Sequence, residues 1–90
     1  MTAPVRVYAS RYCGWCTRAI ALLEGKGVSP DIIMIDPDRD LRREMEERSG
    51  RRTVPQIFIG DRHVGGYEDL RALDASGQLD GLLGAGRKIA

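Results

Sequence analysis

The stretch YCGWCTRAI, residues 12–20, holds both cysteines of the chain, Cys13 and Cys16, with Gly14 and Trp15 between them. Three roles suit such a pair: a structural staple, half of a metal site, or a working dithiol. A disulfide stabilises mainly by closing a loop in the unfolded chain, about 3 kcal/mol for a loop of about 15 residues. A bridge across two intervening residues closes almost nothing. A zinc site asks for about four ligands. The chain has two Cys and a single His, His63, in another segment, and no second CxxC. A metal shared between two chains stays open. The dithiol is the reading that the surrounding pattern supports.

Outward from the pair, the first cysteine follows Val5-Arg6-Val7-Tyr8-Ala9, which alternates like a strand. Cys16, Ile20 and Leu23 then recur at helical spacing, with Ala19 and Leu22 alongside, up to Gly25-Lys26-Gly27. Ile32-Ile33-Met34-Ile35 is a continuous apolar run, expected to form a strand covered on both faces. A second helix is expected from an Asp38 N-cap, with Leu41 and Met45 inward, to a stop at Gly50; its many Arg and Glu form a solvated face. Gln56-Ile57-Phe58-Ile59, Gly60-Asp61 and Arg62-His63-Val64-Gly65 predict a hairpin. A third helix begins near Tyr67, with Leu70 and Leu73 inward, and ends before Gly77. A short helical turn through Leu79, Leu82 and Leu83 closes the domain. Gly84 to Ala90 is expected to be a frayed tail.

The order is β-α-β-α-β-β-α, an α/β fold with a four-stranded mixed sheet flanked by helices. A parallel βαβ unit comes first and a hairpin is added to it. The 90 residues are expected to be a single domain, 1–90, with a core of about 5–83. A formal net charge of +1 gives no field suited to nucleic acid or a membrane surface. Met1-Thr2-Ala3-Pro4 leads straight into the first strand without a signal-peptide pattern, and no apolar run is long enough for a transmembrane helix. The expected location is cytoplasmic, where a cysteine pair serves redox or metal chemistry more often than structure.

CxxC beside a βαβ pattern suggests a thioredoxin-like redox motif. Cys13 lies at the start of the first helix, where unpaired N–H groups and the helix dipole favour thiolate over thiol, with Arg11 close in sequence. It is expected to be the nucleophile. Cys16, one turn on along the apolar face, is expected to remain a thiol and to act as resolver. Pro55 of Thr53-Val54-Pro55 suits either a cis bond beside the dithiol or a trans proline that starts a strand. Gly65-Gly66 before Tyr67-Glu68-Asp69 suits a carboxylate site at a helix N-terminus, or a plain strand end and acidic cap.

With the dithiol, TVP and GGYEDL together, residues 5–83 resemble the glutaredoxins of the small dithiol class, within the thioredoxin superfamily. The stretch GRRTVPQIFIGDRHVGGYEDLRALDASGQLDGLL, 50–83, is similar to the C-terminal half of bacterial members. The resemblance implies a thioredoxin-like fold with cis-Pro55 and a glutathione groove. It implies that Thr53 and Val54 hold the Cys-Gly backbone of glutathione, and that Gly66, Tyr67, Glu68 and Asp69 hold the γ-glutamyl end, with Asp69 on the ammonium. Trp15 would wall the sulfur, and Arg11 or Arg52 would meet the glycyl carboxylate. The family's usual Cys-Pro-Tyr-Cys is Cys13-Gly14-Trp15-Cys16 here, its lysine position is Ser10, and Tyr67 stands where a small residue or third cysteine can occur.

The implied function is glutathione-dependent reduction of protein disulfides and protein–glutathione mixed disulfides by a monomer, with no metal, nucleic acid or membrane partner. Two alternatives accompany it. One is a [2Fe–2S] carrier built by two chains on Cys13 and glutathione thiolates. The other is a thioredoxin-type protein reduced by a flavoenzyme.

Overall fold

The computed structural model describes residues 4–84; the tail expected over 84–90 lies, beyond Gly84, outside the described residues. The first strand, β1 (Val5–Ala9), sends Val5, Val7 and Ala9 to one face of the sheet and Tyr8 to the other. This period of two lets a central strand feed two cores. β2 (Asp31–Met34) runs parallel to β1, with Val7 opposite Ile32 and Ala9 opposite Met34. β3 (Gln56–Ile59) and β4 (Arg62–Gly65) form the expected hairpin, and β3 lies antiparallel to β1. The sheet order is β2-β1-β3-β4.

Helix α1 (Gly14–Gly25) buries Cys16, Ala19 and Leu23 against the face of Val7 and Ile57, and α3 (Tyr67–Ala75) adds Leu70 there. On the other face α2 (Arg39–Ser49) contributes Met45, which packs with Tyr8, Ile35 and Phe58. Only one residue of α2 is fully buried, so its charged positions are a solvated face as expected. Asp38 Oδ1 caps it, accepting from the N–H groups of Asp40 (2.9 Å) and Leu41 (3.1 Å). Gly50 ends it with φ +72°, a left-handed conformation that glycine adopts without steric penalty. Full burial of a side chain such as Leu23 or Leu70 stabilises the fold by about 1.5–3 kcal/mol each.

One expectation needs correction. The run Ile32–Ile35 is not covered on both faces. β2 is an edge strand, Ile32 and Met34 remain 46% and 41% exposed, and only Ile35, just beyond the strand, is buried. An apolar run states that burial is favourable; it does not state how many neighbours the sheet order supplies. The helical turn expected through Leu79, Leu82 and Leu83 is present. The closing turn is a helix of its own, α4 (Gln78–Leu83), whose Leu79 and Leu83 complete the α1 face.

Candidate active site

Strand β1 delivers the chain to the dithiol through Ser10-Arg11-Tyr12. Tyr12 adopts φ +55°, uncommon for a residue with a side chain, and stands fully exposed. Cys13 follows in extended conformation as the N-cap of α1. Its Sγ takes the place of a capping oxygen, accepting from the Cys16 N–H at 3.1 Å. Such a contact is stronger to a thiolate than to a thiol. Both cysteines are free.

Cys16 lies one turn inward and is 3% exposed. Burial pushes its thiol up to about 12, and the adjoining Cys13 sulfur adds to the shift by hydrogen bond and charge. It is therefore a thiol at neutral pH. The pair thus consists of one sulfur at the helix entrance, half in solvent, and one in the core, as the spacing predicts.

Across from Cys13 lies the turn before β3. The Val54–Pro55 bond is cis, as the family resemblance implies; Asp36–Pro37 is cis as well, which nothing in the sequence reading anticipated. The Cys13 Sγ stands 4.0 Å from the Val54 carbonyl oxygen. From this turn a groove of about 270 Å³ runs to the start of α3. Trp15, Thr53, Val54, Pro55, Gly66, Tyr67, Glu68 and Asp69 all line it. The rings of Trp15 and Tyr67 meet at 5.7 Å between centroids, tilted by 34°, and the Arg18 guanidinium sits 5.0 Å over Trp15.

Asp69 is tied at the groove's far end. Its Oδ2 accepts from the Gly66 N–H at 2.9 Å and from Arg51 Nη1 at 3.0 Å. These two partners, the Gly66 N–H first, hold its carboxyl below the usual carboxylate range. Gly65 makes the approach feasible: it has φ +117°, and a Cβ there would run into the Asp69 carboxylate.

Neither of the two arginines expected to meet the glycyl carboxylate lines this groove. Arg11 lines a second groove, of about 460 Å³, beside the dithiol, which Cys13 and Cys16 line together with Tyr12, Ile32 and Met34. Arg52 is exposed, and its carbonyl accepts from Arg42 Nη1 at 3.5 Å. The cation in the groove lining is Arg51, which the sequence reading passed over. Adjacent arginines offer no signal for which one turns inward; that depends on the exit direction of the chain after Gly50. Among the described residues no group of three side chains is suited to holding a metal ion, and no helix is long and apolar enough to cross a membrane.

A four-stranded mixed sheet, with a CxxC pair opening its first helix and a cis proline beside the outer sulfur, defines a thioredoxin-like dithiol protein. The glutaredoxin family model matches residues 5–64. The chain belongs to the glutaredoxin family. It is 54% identical over 81 residues to glutaredoxin 3 of Escherichia coli (strain K12), covering 90% of this chain and 98% of that protein. A solution structure of a glutaredoxin from Brucella melitensis superposes with a TM-score of 0.82 at 49% identity, covering 98% of this chain and 96% of that one. A crystal structure of a buckwheat glutaredoxin–glutathione complex gives 0.82 at 31% identity, covering 90% and 76%.

Proposed function

We propose that the chain is a glutathione-dependent thiol–disulfide oxidoreductase, a single-domain, monomeric, cytoplasmic protein that reduces protein–glutathione mixed disulfides and protein disulfides through Cys13 and Cys16. One observation carries the reading. A half-buried sulfur at a helix N-terminus, backed by a buried thiol one turn away, stands 4.0 Å from the carbonyl oxygen of Val54, which lines a groove that pairs polar backbone with a carboxylate.

In the monothiol route the Cys13 thiolate attacks the glutathione sulfur of the mixed disulfide. The Cys13–glutathione bond forms, the old S–S bond breaks, and the protein sulfur leaves with the electron pair and takes a proton from water. A second glutathione thiolate then attacks the bound glutathione sulfur, and glutathione disulfide departs as Cys13 regains its thiolate. Thr53 and Val54 hold the Cys-Gly backbone. Gly66, Tyr67, Glu68 and Asp69 hold the γ-glutamyl end, and Trp15 walls the sulfur.

In the dithiol route Cys13 attacks a protein disulfide and one protein sulfur leaves. Cys16 loses its proton as it attacks Cys13 Sγ; the Cys13–Cys16 disulfide forms and the second protein sulfur leaves. Two glutathiones then return the pair to dithiol and depart as glutathione disulfide. Cys13 raises the Cys16 pKa by hydrogen bond and charge. That contribution disappears once the Cys13 sulfur is tied in a neutral mixed disulfide, so the resolver becomes easier to deprotonate when it is needed.

The complex of the buckwheat relative with glutathione supports the choice of reductant. The test is a coupled assay. Turnover with glutathione, glutathione reductase and NADPH is expected; turnover with thioredoxin reductase alone would overturn the reading. A [2Fe–2S] role needs two chains, since each has one cysteine at the surface, Cys13, and the remaining ligands would be glutathione thiolates. A visible spectrum of anaerobically purified protein separates it from plain redox catalysis.

A further inference from the structure

Gln56 follows Pro55 directly and is 0% exposed. Burying a side-chain amide costs about 1–3 kcal/mol where partners are missing, and an aliphatic side chain of similar volume has no such requirement. Its partners are specific. Gln56 Nε2 donates to the Thr53 carbonyl at 3.0 Å and to Thr53 Oγ1 at 3.2 Å. Gln56 Oε1 stands 2.7 Å from His63 Nε2 on β4.

These contacts allow one arrangement of protons. The Thr53 carbonyl only accepts, so the amide nitrogen must face it and the amide oxygen must face His63. An oxygen there requires a donor, so His63 carries its proton on Nε2. Burial, reinforced by Arg51, pushes the His63 pKa down and Asp69 opposes this in part, which leaves a neutral imidazole at pH 7. Its ring lies against Phe58, centroids 4.9 Å apart and tilted by 33°. At the other end, Thr53 Oγ1 accepts from Gln56, so the hydroxyl proton is left for an acceptor in the groove that Thr53 lines.

We propose that Gln56, oriented by His63, is a positioning residue that fixes the carbonyl and hydroxyl of Thr53, so that the Thr53-Val54-Pro55 turn offers glutathione a single geometry. The proposal rests on the glutathione-dependent function above. Gln56 touches no reacting atom; it acts through Thr53. His63 on β4 thereby reaches the groove by way of a buried amide.

The test combines kinetics with a spectroscopic readout. In the reduced wild-type protein, 15N–1H spectra of the imidazole are expected to show the proton of His63 on Nε2; a proton on Nδ1 would overturn the proposal. Gln56→Leu is expected to raise KM for a glutathionylated peptide about fivefold, the order of one lost hydrogen bond, with kcat within about twofold. Alkylation of Cys13 by iodoacetamide, which uses no groove, should keep its rate. His63→Phe should raise KM in the same sense, and His63→Gln, which restores a donor to Oε1, should return it toward wild type. These two variants decide the matter if Gln56→Leu does not fold. An unchanged KM in folded Gln56→Leu, or in His63→Phe, would overturn the proposal. Wild-type protein that fails to saturate with the glutathionylated peptide would instead overturn the function itself.

Discussion

Arg51 and Asp69 meet at 3.0 Å on the wall of the groove, between the turn after α2 and the first turn of α3. Each side chain is about half exposed, so the pair adds at most about 1 kcal/mol to stability. Its interest is chemical: a cation and an anion stand side by side where the proposed function puts the amino-acid end of glutathione, with its ammonium and carboxylate.

Asp69→Asn tests this. Asparagine keeps an oxygen for the Gly66 N–H, so α3 stays capped, but the charge is lost. KM for glutathione at fixed disulfide substrate is expected to rise by the equivalent of about 1–3 kcal/mol, as for a hydrogen bond to a charged group. An unchanged KM would reduce Asp69 to a helix cap. The pH dependence has a definite sign. The folded pKa lies below the ordinary value, so the carboxylate's stabilising contribution is complete above about pH 4 and is lost as pH falls through the lowered folded pKa. Glutathione binding through Asp69 should therefore not change between pH 5 and 8.

Gly65 and Gly14 should respond differently to alanine. At Gly65 the backbone is at φ +117° and a Cβ would collide with the Asp69 carboxylate. Gly65→Ala is expected to cost about 1–3 kcal/mol in urea unfolding, as a strained backbone does, and to raise KM by displacing Asp69. At Gly14, in the first turn of α1, a Cβ meets nothing within 4 Å. Gly14→Ala should leave stability within about 0.5 kcal/mol of wild type. Equal effects at the two sites would contradict the geometry described.

What was legible in the sequence is what local chemistry decides. Asp38 and Gly50 mark the ends of α2 because capping and left-handed glycine are settled within a few residues. Cys13 and Cys16 could be assigned different environments from one helical turn of spacing. Sheet order is different in kind. Ile32 and Met34 were expected to be covered because an apolar run carries no mark of the edge position that leaves them exposed. Arg51 and Arg52 are chemically the same, and only the path of the chain after Gly50 puts Arg51 on Asp69. The buried Gln56 was unreadable because its partners, Thr53 and His63, meet only once the hairpin has formed.

The buried Cys16 thiol makes the reduced protein sensitive to alkali. Its pKa is raised by folding, so the associated stability is fully present below the unfolded value of about 8.5 and is lost as pH rises toward the folded value of about 12. Unfolding free energy of reduced protein should decline between pH 8.5 and 10, by at most about 1.4 kcal/mol per pH unit. Denaturant titrations of wild type and Cys16→Ala across this range measure it. The variant should be less stable at pH 7, having lost buried sulfur, but should show a flatter decline. Parallel pH profiles would mean that Cys16 ionises as readily in the folded chain as in the unfolded one.

Cys13 and Cys16 should separate the two routes. Cys13→Ser is expected to abolish every activity, because the only other thiol is buried and cannot meet a substrate. Cys16→Ser retains the half-buried nucleophile and the groove. It should still remove glutathione from small mixed disulfides, since a second glutathione attacks from solvent. It should lose most reduction of protein disulfides, in which the intramolecular attack on Cys13 releases the partner. Serine at position 16 also keeps the backbone N–H that Cys13 accepts, so the nucleophile's helix-end environment is preserved. The measurement is turnover of a glutathionylated peptide and of a disulfide-bonded protein, each with glutathione, glutathione reductase and NADPH. Loss of both activities to the same extent in Cys16→Ser would show that Cys16 serves both routes, and the division of labour between the two sulfurs would fall.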